Sequence, residues 1–291
     1  MTSPHDNPSV SLAENAGQNT DRQAIRLLQI GCGNMGGALL DAAMATDRLD
    51  QSVIIDPRAT RPDLPAYIRL MPDLTKLPTR FRADVLLLAV KPQMIAELAP
   101  LIAGYRHQAV IVSIMAGVTM AQLAALFGAD APIIRTMPNT PAAVRSGLSA
   151  LMANDQVTPE QKRLTSLLFD AAGDTVWLTD EGQFDAFTGL AGSGPAYLFH
   201  MVEALEAAGV AAGLAPEIAA ISARKTIIGA AALLHDSAES PARLRENVTS
   251  PNGTTAAGLA ALMADDDGLT ALLAKTVKAA ADRSKALAQS D

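Results

Sequence analysis

The chain has 291 residues, 49% hydrophobic, 18% charged and 3% aromatic, with 30 acids against 23 bases for a formal charge of −7. That length accommodates one large or two ordinary domains with a core that needs no covalent staple, and the acid excess argues against a general nucleic-acid binder, which needs a basic face. The single cysteine, Cys32, has no internal disulfide partner, and the four histidines (His5, His107, His200 and His235) show no metal-ligand spacing, so no metal site is expected.

In chain order, residues 1–24 are polar and lack both the basic start and the apolar stretch of a secretory signal; they read as a disordered tail on a cytoplasmic protein. No apolar run approaches the roughly 20 residues of a membrane span, so no membrane association is expected. From Ile25 to about Asp180, short apolar runs alternate with helical stretches. The runs are Ile25–Ile30, Ser52–Asp56, Asp84–Val90, Ala109–Ile114, Ile133–Met137, Gly147–Met152 and Thr175–Leu178. They are apolar nearly throughout, as strands covered on both faces are, and helical candidates such as Gly36–Ala45, Gln93–Ala103 and Met120–Phe127 lie between them. This rhythm predicts an N-terminal α/β domain, residues 25–180, with a Rossmann-type doubly wound parallel sheet.

After Asp180 the strands stop and alanine-rich helical patterns take over, predicting an all-helical domain over 181–291. Leu198, Val202, Leu205 and Gly209 share one helical face, downstream of a break at Pro195. Pro216 opens a second helix running toward Leu234, and a last helix runs from near Asp267 to near Ala288. Alanine-rich helices with few aromatics bury little surface each, so a helical homodimer is expected.

Gly31-Cys32-Gly33-Asn34-Met35-Gly36 follows the first strand and opens a helix. Gly31 permits the tight turn, Gly33 lets backbone approach a pyrophosphate, and Gly36 lets helix pack on strand. The loop, with Asn34 and Met35, would present backbone N–H groups at a helix N-terminus to the phosphates. Asp56 ends the second strand, where an acid accepts from a ribose 2′-hydroxyl and favours NADH; Arg58 and Arg61 follow and suit the 2′-phosphate of NADPH, so the preference stays open. Ala89-Val90-Lys91-Pro92 ends the third predicted strand at the sheet's carboxyl edge and places Lys91 near cofactor ribose or phosphate, unless it is simply solvated. The stiff Met137–Pro141 loop ends the fifth, with the Asn139 amide available either to the nicotinamide or as a turn cap.

Two polar segments mark the helical half: Gly189–Tyr197, and Val248–Leu259 with several hydroxyls before an apolar helical stretch. The second reads either as a carboxylate-binding helix start or as a well-capped turn. No Lys or Arg occurs between Arg163 and Arg224. A β-hydroxyacid dehydrogenase of similar layout would want a catalytic lysine there, which argues against that class. His200 is the one candidate proton donor on the opening helix and reads as structural. A non-catalytic dinucleotide sensor is the other alternative, and it has no need of the Ser250–Thr255 segment.

The glycine loop at Gly31, Ala-Val-Lys-Pro at Ala89, the Met137–Pro141 loop, Gly-Ser-Gly-Pro-Ala-Tyr at Gly192 and Thr-Ser-Pro-Asn-Gly-Thr-Thr at Thr249 occur in the order that resembles the pyrroline-5-carboxylate reductase family. The resemblance covers nearly everything after residue 24. It implies NADPH- or NADH-dependent reduction of the C=N bond of 1-pyrroline-5-carboxylate to L-proline, the last step of proline biosynthesis. It also implies an interleaved homodimer, with rings of dimers as larger forms, and a substrate pocket partly completed across that dimer. By motif match, Ser250 and the N–H groups of Gly253 and Thr254 would hold the substrate carboxylate. Thr255 would direct its hydroxyl at the ring nitrogen as the catalytic contact, and Gly192–Pro195 would line the nicotinamide side. The family usually has glycine where this chain has Asn252; asparagine tolerates positive φ, so the turn is expected to survive.

Overall fold

The computed structural model describes residues 24–78, 80–105 and 108–288. The expected disordered tail lies outside the described residues but for Ala24, as does His107. Eight strands form one sheet: β1 (Leu27–Ile30), β2 (Ser52–Ile55), β3 (Ile68–Met71), β4 (Val85–Leu88), β5 (Val110–Ser113), β6 (Ile133–Met137), β7 (Gly147–Ala153) and β8 (Gly173–Trp177), in the order β3-β2-β1-β4-β5-β6-β7-β8. The order reverses direction between β1 and β4, which pair in parallel from Leu27–Val85 to Ile30–Leu88. That is the switch point at whose carboxyl end an open α/β sheet leaves a ligand crevice.

The helices of this half are α1 (Asn34–Met44), α2 (Ile95–Ile102), α3 (Met120–Phe127) and α4 (Pro159–Asp170). Capping boxes start two of them: the Thr119 and Thr158 side chains accept from the N–H groups of Gln122 and Gln161, and those glutamines answer the cap backbone. One core layer packs Leu39 and Leu40 of α1 and Leu168 of α4 against Leu27, Ile54 and Leu87. The other packs Ile102 and Phe127 against Leu28, Leu86 and Ile111. Strand residues therefore alternate between two buried faces, which is why they are apolar throughout.

Two features depart from the sequence reading. β3 is an added edge strand; its residues alternate between buried Ile68 and exposed Arg69, so it lacks the continuous apolar run of the others. The sheet is also not wholly parallel. A short 3₁₀ segment, Thr140–Val144, ends at Arg145 in the left-handed conformation, and β7 returns antiparallel to β6.

Beyond β8 the chain is helical: α5 (Gln183–Phe187), a π-helical turn (Thr188–Gly192), α6 (Gly194–Ala211), α7 (Pro216–Asp236), α8 (Pro241–Asn247), α9 (Thr254–Leu262) and α10 (Leu269–Ala288). α10 folds back onto α5 and the π turn. A Cβ on Gly189 would stand 2.6 Å from the Val277 carbonyl oxygen, and Ser284 Oγ donates to Asp185 at 2.7 Å. α6 and α7 pair at Gly209, whose added Cβ would meet Ala219 Cβ at 3.2 Å. Apart from Ala219 and Ala223, neither helix buries a residue within the chain; Phe199 is 67% exposed and Ile221 62%. α7 is also long and apolar enough to span a bilayer by length and composition, which corrects the expectation that no segment approaches that limit. Arg224 and Lys225 stand near its middle.

Candidate active site

The glycine loop joins β1 to α1 at the switch point. Gly31 has φ +95°, and a Cβ there would lie 2.4 Å from the Ala89 carbonyl oxygen at the end of β4. A Cβ on Gly36 would lie 2.8 Å from the Gly31 oxygen and 3.0 Å from Ala89 Cβ. Both positions demand glycine because backbone, not a movable side chain, occupies the space. Gly33 differs: nothing lies within 4 Å of an added Cβ, so its side of the loop faces open space. Gly33 is also the N-cap of α1, contributes no capping side chain, and leaves no acid in the first turn. The leading N–H groups of α1, from Asn34, Met35 and Gly36, therefore point at a place suited to a pyrophosphate.

Two side chains hold this loop. Gln29, fully buried on β1, donates through Nε2 to the carbonyls of Gly31 (2.8 Å) and Gly36 (3.0 Å), tying its two ends together. The sequence reading passed over this residue; its one signal is a polar side chain within an otherwise apolar run. Asp56 accepts from the Cys32 N–H through Oδ2 (2.8 Å) and from the Arg58 and Ala59 N–H groups through Oδ1 (2.8 and 3.1 Å). Burial pushes its carboxyl up, and the three backbone donors more than offset that, leaving it below the ordinary carboxylate range. Asp56 thus splints the β1 and β2 loops.

Arg61 is clasped by Asp41 and by Asp63, whose Oδ1 lies 2.9 Å from Nε. The Asp63 contact raises the already high Arg61 pKa, and Asp63 itself is drawn down to about 2. Arg61 is therefore occupied, whereas Arg58 leaves its guanidinium exposed at the crevice mouth. Burial pushes the half-buried Cys32 thiol up against the opposing pull of Arg61, so it stays protonated at neutral pH.

Ala89 and Val90 leave β4 directly opposite the glycine loop, with exposed Lys91 and then Pro92 opening a 3₁₀ turn. Asn139 makes two hydrogen bonds within the chain. Its Nδ2 donates to the Ala191 carbonyl (3.0 Å) and its Oδ1 accepts from the Leu148 N–H (2.8 Å). It pins the Met137–Pro141 loop to the π turn, where a Cβ on Gly192 would lie 3.1 Å from Met137 Cε. The Tyr197 hydroxyl donates to the Gly189 carbonyl (2.9 Å) from the first turns of α6. These two motifs, 52 residues apart at Asn139 and Ala191, are thereby brought together at the carboxyl edge of the sheet.

A further tie lies just behind them. Arg135, buried on β6, pairs with Glu181 at 2.5 Å and stacks 4.3 Å from the Phe184 ring centroid, and Glu181 also accepts from the Met120 N–H at 2.7 Å. It couples the sheet to the entry of the helical half.

The Ser250–Thr255 turn leads into α9. Asn252 takes φ +58°, so it fills a left-handed position as the missing glycine would. Gly253 is the uncapped N-cap of α9, and a Cβ there would sit 2.3 Å from Ser250 Oγ. Ser250, Thr254 and Thr255 are exposed, and among the described residues no hydrogen bond joins this turn to the glycine loop of the same chain. His200 stands exposed on α6, paired with Glu203 at 2.9 Å.

A Rossmann crevice with an open, uncapped phosphate loop, joined to a helical half with an unburied apolar surface, defines a dinucleotide-dependent oxidoreductase that assembles through its helices. Residues 181–287 match the family described as pyrroline-5-carboxylate reductase dimerisation, and residues 26–117 the one described as NADP oxidoreductase coenzyme F420-dependent. A pyrroline-5-carboxylate reductase of Synechocystis sp. is 38% identical over 269 residues, covering 91% of this chain and 98% of its own length. One from Pseudomonas aeruginosa is 43% identical over 208 residues, 71% of this chain and 76% of the relative. The solved pyrroline-5-carboxylate reductase of Coxiella burnetii superposes with a TM-score of 0.83 at 30% identity, covering 91% of this chain and 98% of that one. The chain belongs to the pyrroline-5-carboxylate reductase family. The match to a dimerisation region accounts for the exposed apolar faces of α6 and α7 as chain-to-chain surface in a homo-oligomer.

Proposed function

We propose that this protein reduces 1-pyrroline-5-carboxylate to L-proline with NADPH or NADH, closing a proline-biosynthesis route. The observation that carries the reading is the pairing of an open phosphate loop at the switch point with a second uncapped helix start, that of α9, behind the left-handed Asn252. Gly31, Gly33, Asn34, Met35 and Gly36 would hold the pyrophosphate, and Asp56 with Arg58 would meet the adenosine ribose. Ala89, Val90, Lys91 and Pro92 would border the remainder. Bound there, a reduced nicotinamide supplies a hydride to the C=N carbon.

The remaining work falls to this chain's own groups. The Thr254 N–H, with Ser250 Oγ, holds the substrate carboxylate without a cationic side chain, while the Gly253 N–H is engaged by the Ser250 carbonyl at 3.0 Å and shapes the turn instead. Thr255 offers its hydroxyl to the ring nitrogen. A C=N bond is easily protonated and its reduction develops no oxyanion, so positioning suffices and no strong acid is needed. Asn139 acts as a positioning residue that seats the Met137–Pro141 loop against the π turn. Because Ser250–Thr255 is exposed and makes no hydrogen bond to the glycine loop of its own chain among the described residues, the working unit is a homodimer in which the turn serves the partner's crevice, with rings of dimers as the larger assembly. The division falls between a dinucleotide-binding domain, 25–180, and a helical domain, 181–291. The apolar surface of α7 serves assembly rather than a membrane, the acidic chain has no role on nucleic acid, and the setting is cytoplasmic, where Cys32 remains a thiol.

Purified protein given 1-pyrroline-5-carboxylate should oxidise NADPH or NADH, read as loss of dihydronicotinamide absorbance. Thr255→Ala should lower kcat/KM about 10–100-fold, the worth of one hydrogen bond of about 1.5–3 kcal/mol. Binding of the dinucleotide without turnover would overturn the assignment, and full kcat/KM in Thr255→Ala would overturn the role of that hydroxyl.

A further inference from the structure

The flank of the sheet along β2 and β3 carries a cavity of about 500 Å³ that the reductase reading does not use. It runs from Arg26 and Ser52 to Met71 at the far end of β3, and Pro78 and Phe81 also line it. Four of the chain's 23 basic side chains line it: Arg26, Arg69, Arg80 and Arg82. In a protein of net charge −7 this is a strong local inversion of sign. Asp84 answers Arg26 through a two-pronged contact, Nη2 to Oδ1 at 2.9 Å and Nε to Oδ2 at 3.3 Å. Arg69 and Arg80 have no acidic partner among the described residues. Arg69 and Arg80 are thus two unanswered like charges beside one concavity, an arrangement that an anion relieves.

The walls are not uniformly polar. The half-buried rings of Tyr67 and Phe81 and the side chain of Met71 also line the cavity. Guanidinium groups supply forked donors that match phosphate oxygens, while aromatic rings supply flat apolar surface for a second ring. The volume suits a small organic molecule rather than a lone inorganic anion. Arg26 precedes β1 and Gly31 follows it, so at about 3.3 Å per strand residue the Arg26 end of the cavity stands roughly 16 Å from the phosphate loop, while Met71, paired with Ile55, lines its other end.

We propose that this cavity is a second, non-catalytic site for an organic phosphate carrying a planar ring, the class of the nucleoside phosphates. The test is equilibrium dialysis of the full-length protein with labelled ATP, under saturating NADPH so that the dinucleotide crevice is filled. The expected result is one ATP per chain, weakened at least tenfold by the double change Arg69→Ser with Arg80→Ser. The double variant keeps wild-type dihydronicotinamide oxidation, which shows that it is folded. Pyrophosphate should bind at least tenfold more weakly than ATP because it cannot use the rings. No ATP bound beyond the filled crevice, binding unchanged in the double variant, or pyrophosphate binding as tightly as ATP would each overturn the proposal.

Discussion

Replacing Arg135 by methionine isolates the tie between the sheet and the helical half. The change removes a charged hydrogen bond to Glu181 at 2.5 Å, worth about 1.5–3 kcal/mol, and a stacking contact 4.3 Å from the Phe184 centroid, worth about 0.5–2 kcal/mol. Two effects reduce the sum. Glu181 is 32% exposed and keeps the Met120 N–H, so it regains water rather than becoming a stranded buried charge, and the methionine side chain refills part of the space. The expected loss is about 2–3 kcal/mol, a fall in Tm of roughly 5–10 °C at a few degrees per kcal/mol for a protein of this size. Urea unfolding at one fixed protomer concentration is the assay, because assembly stabilises the folded chain by mass action. Glu181→Gln and the double variant complete a cycle whose coupling should be about 1–2 kcal/mol. A loss below about 1 kcal/mol, or a coupling near zero, would refute the reasoning that this pair braces the junction.

Three other outcomes follow from the site. Gly31→Ala, at φ +95° and 2.4 Å from the Ala89 oxygen, should lower Tm and raise the dinucleotide KM at least tenfold, whereas Gly33→Ala, with open space around it, should keep Tm and weaken only dinucleotide binding; parallel thermal melts and cofactor titrations separate them. Asn252→Gly should leave stability within about 0.5 kcal/mol, while Asn252→Val, a β-branched residue at φ +58°, should cost about 1–2 kcal/mol and raise the imine KM, read from melts and steady-state kinetics. Asp56→Asn should destabilise by about 1–2 kcal/mol at neutral pH. The folded carboxyl sits below its unfolded value, so its contribution is complete above the ordinary carboxylate range and lost as pH falls through the folded value; the gap between wild type and variant in urea midpoints should narrow in acid, and a constant gap would contradict the splint.

The amino-acid sequence by itself determined the sheet's central strands, the glycine loop, the switch to helices near residue 180 and the turn before α9. Each is a local property: continuous apolar runs mark strands buried on both faces, and glycine or asparagine marks backbone that other residues cannot adopt. The edge strand β3 escaped because one of its faces is wet and its four residues carry no sustained pattern. The antiparallel return of β7 escaped because direction depends on the reversal at Arg145, not on strand composition. Tertiary structure alone decided what the polar groups do. Asn139 braces Ala191 and Leu148, Asp56 reaches back 24 residues to Cys32, and Arg135 finds Glu181 46 residues on. It also gathered Arg26, Arg69, Arg80 and Arg82, scattered over three stretches of chain, around one cavity. A side chain's residue type states which bonds it can make; which it does make depends on the partners that folding delivers, and those lie far away in the chain.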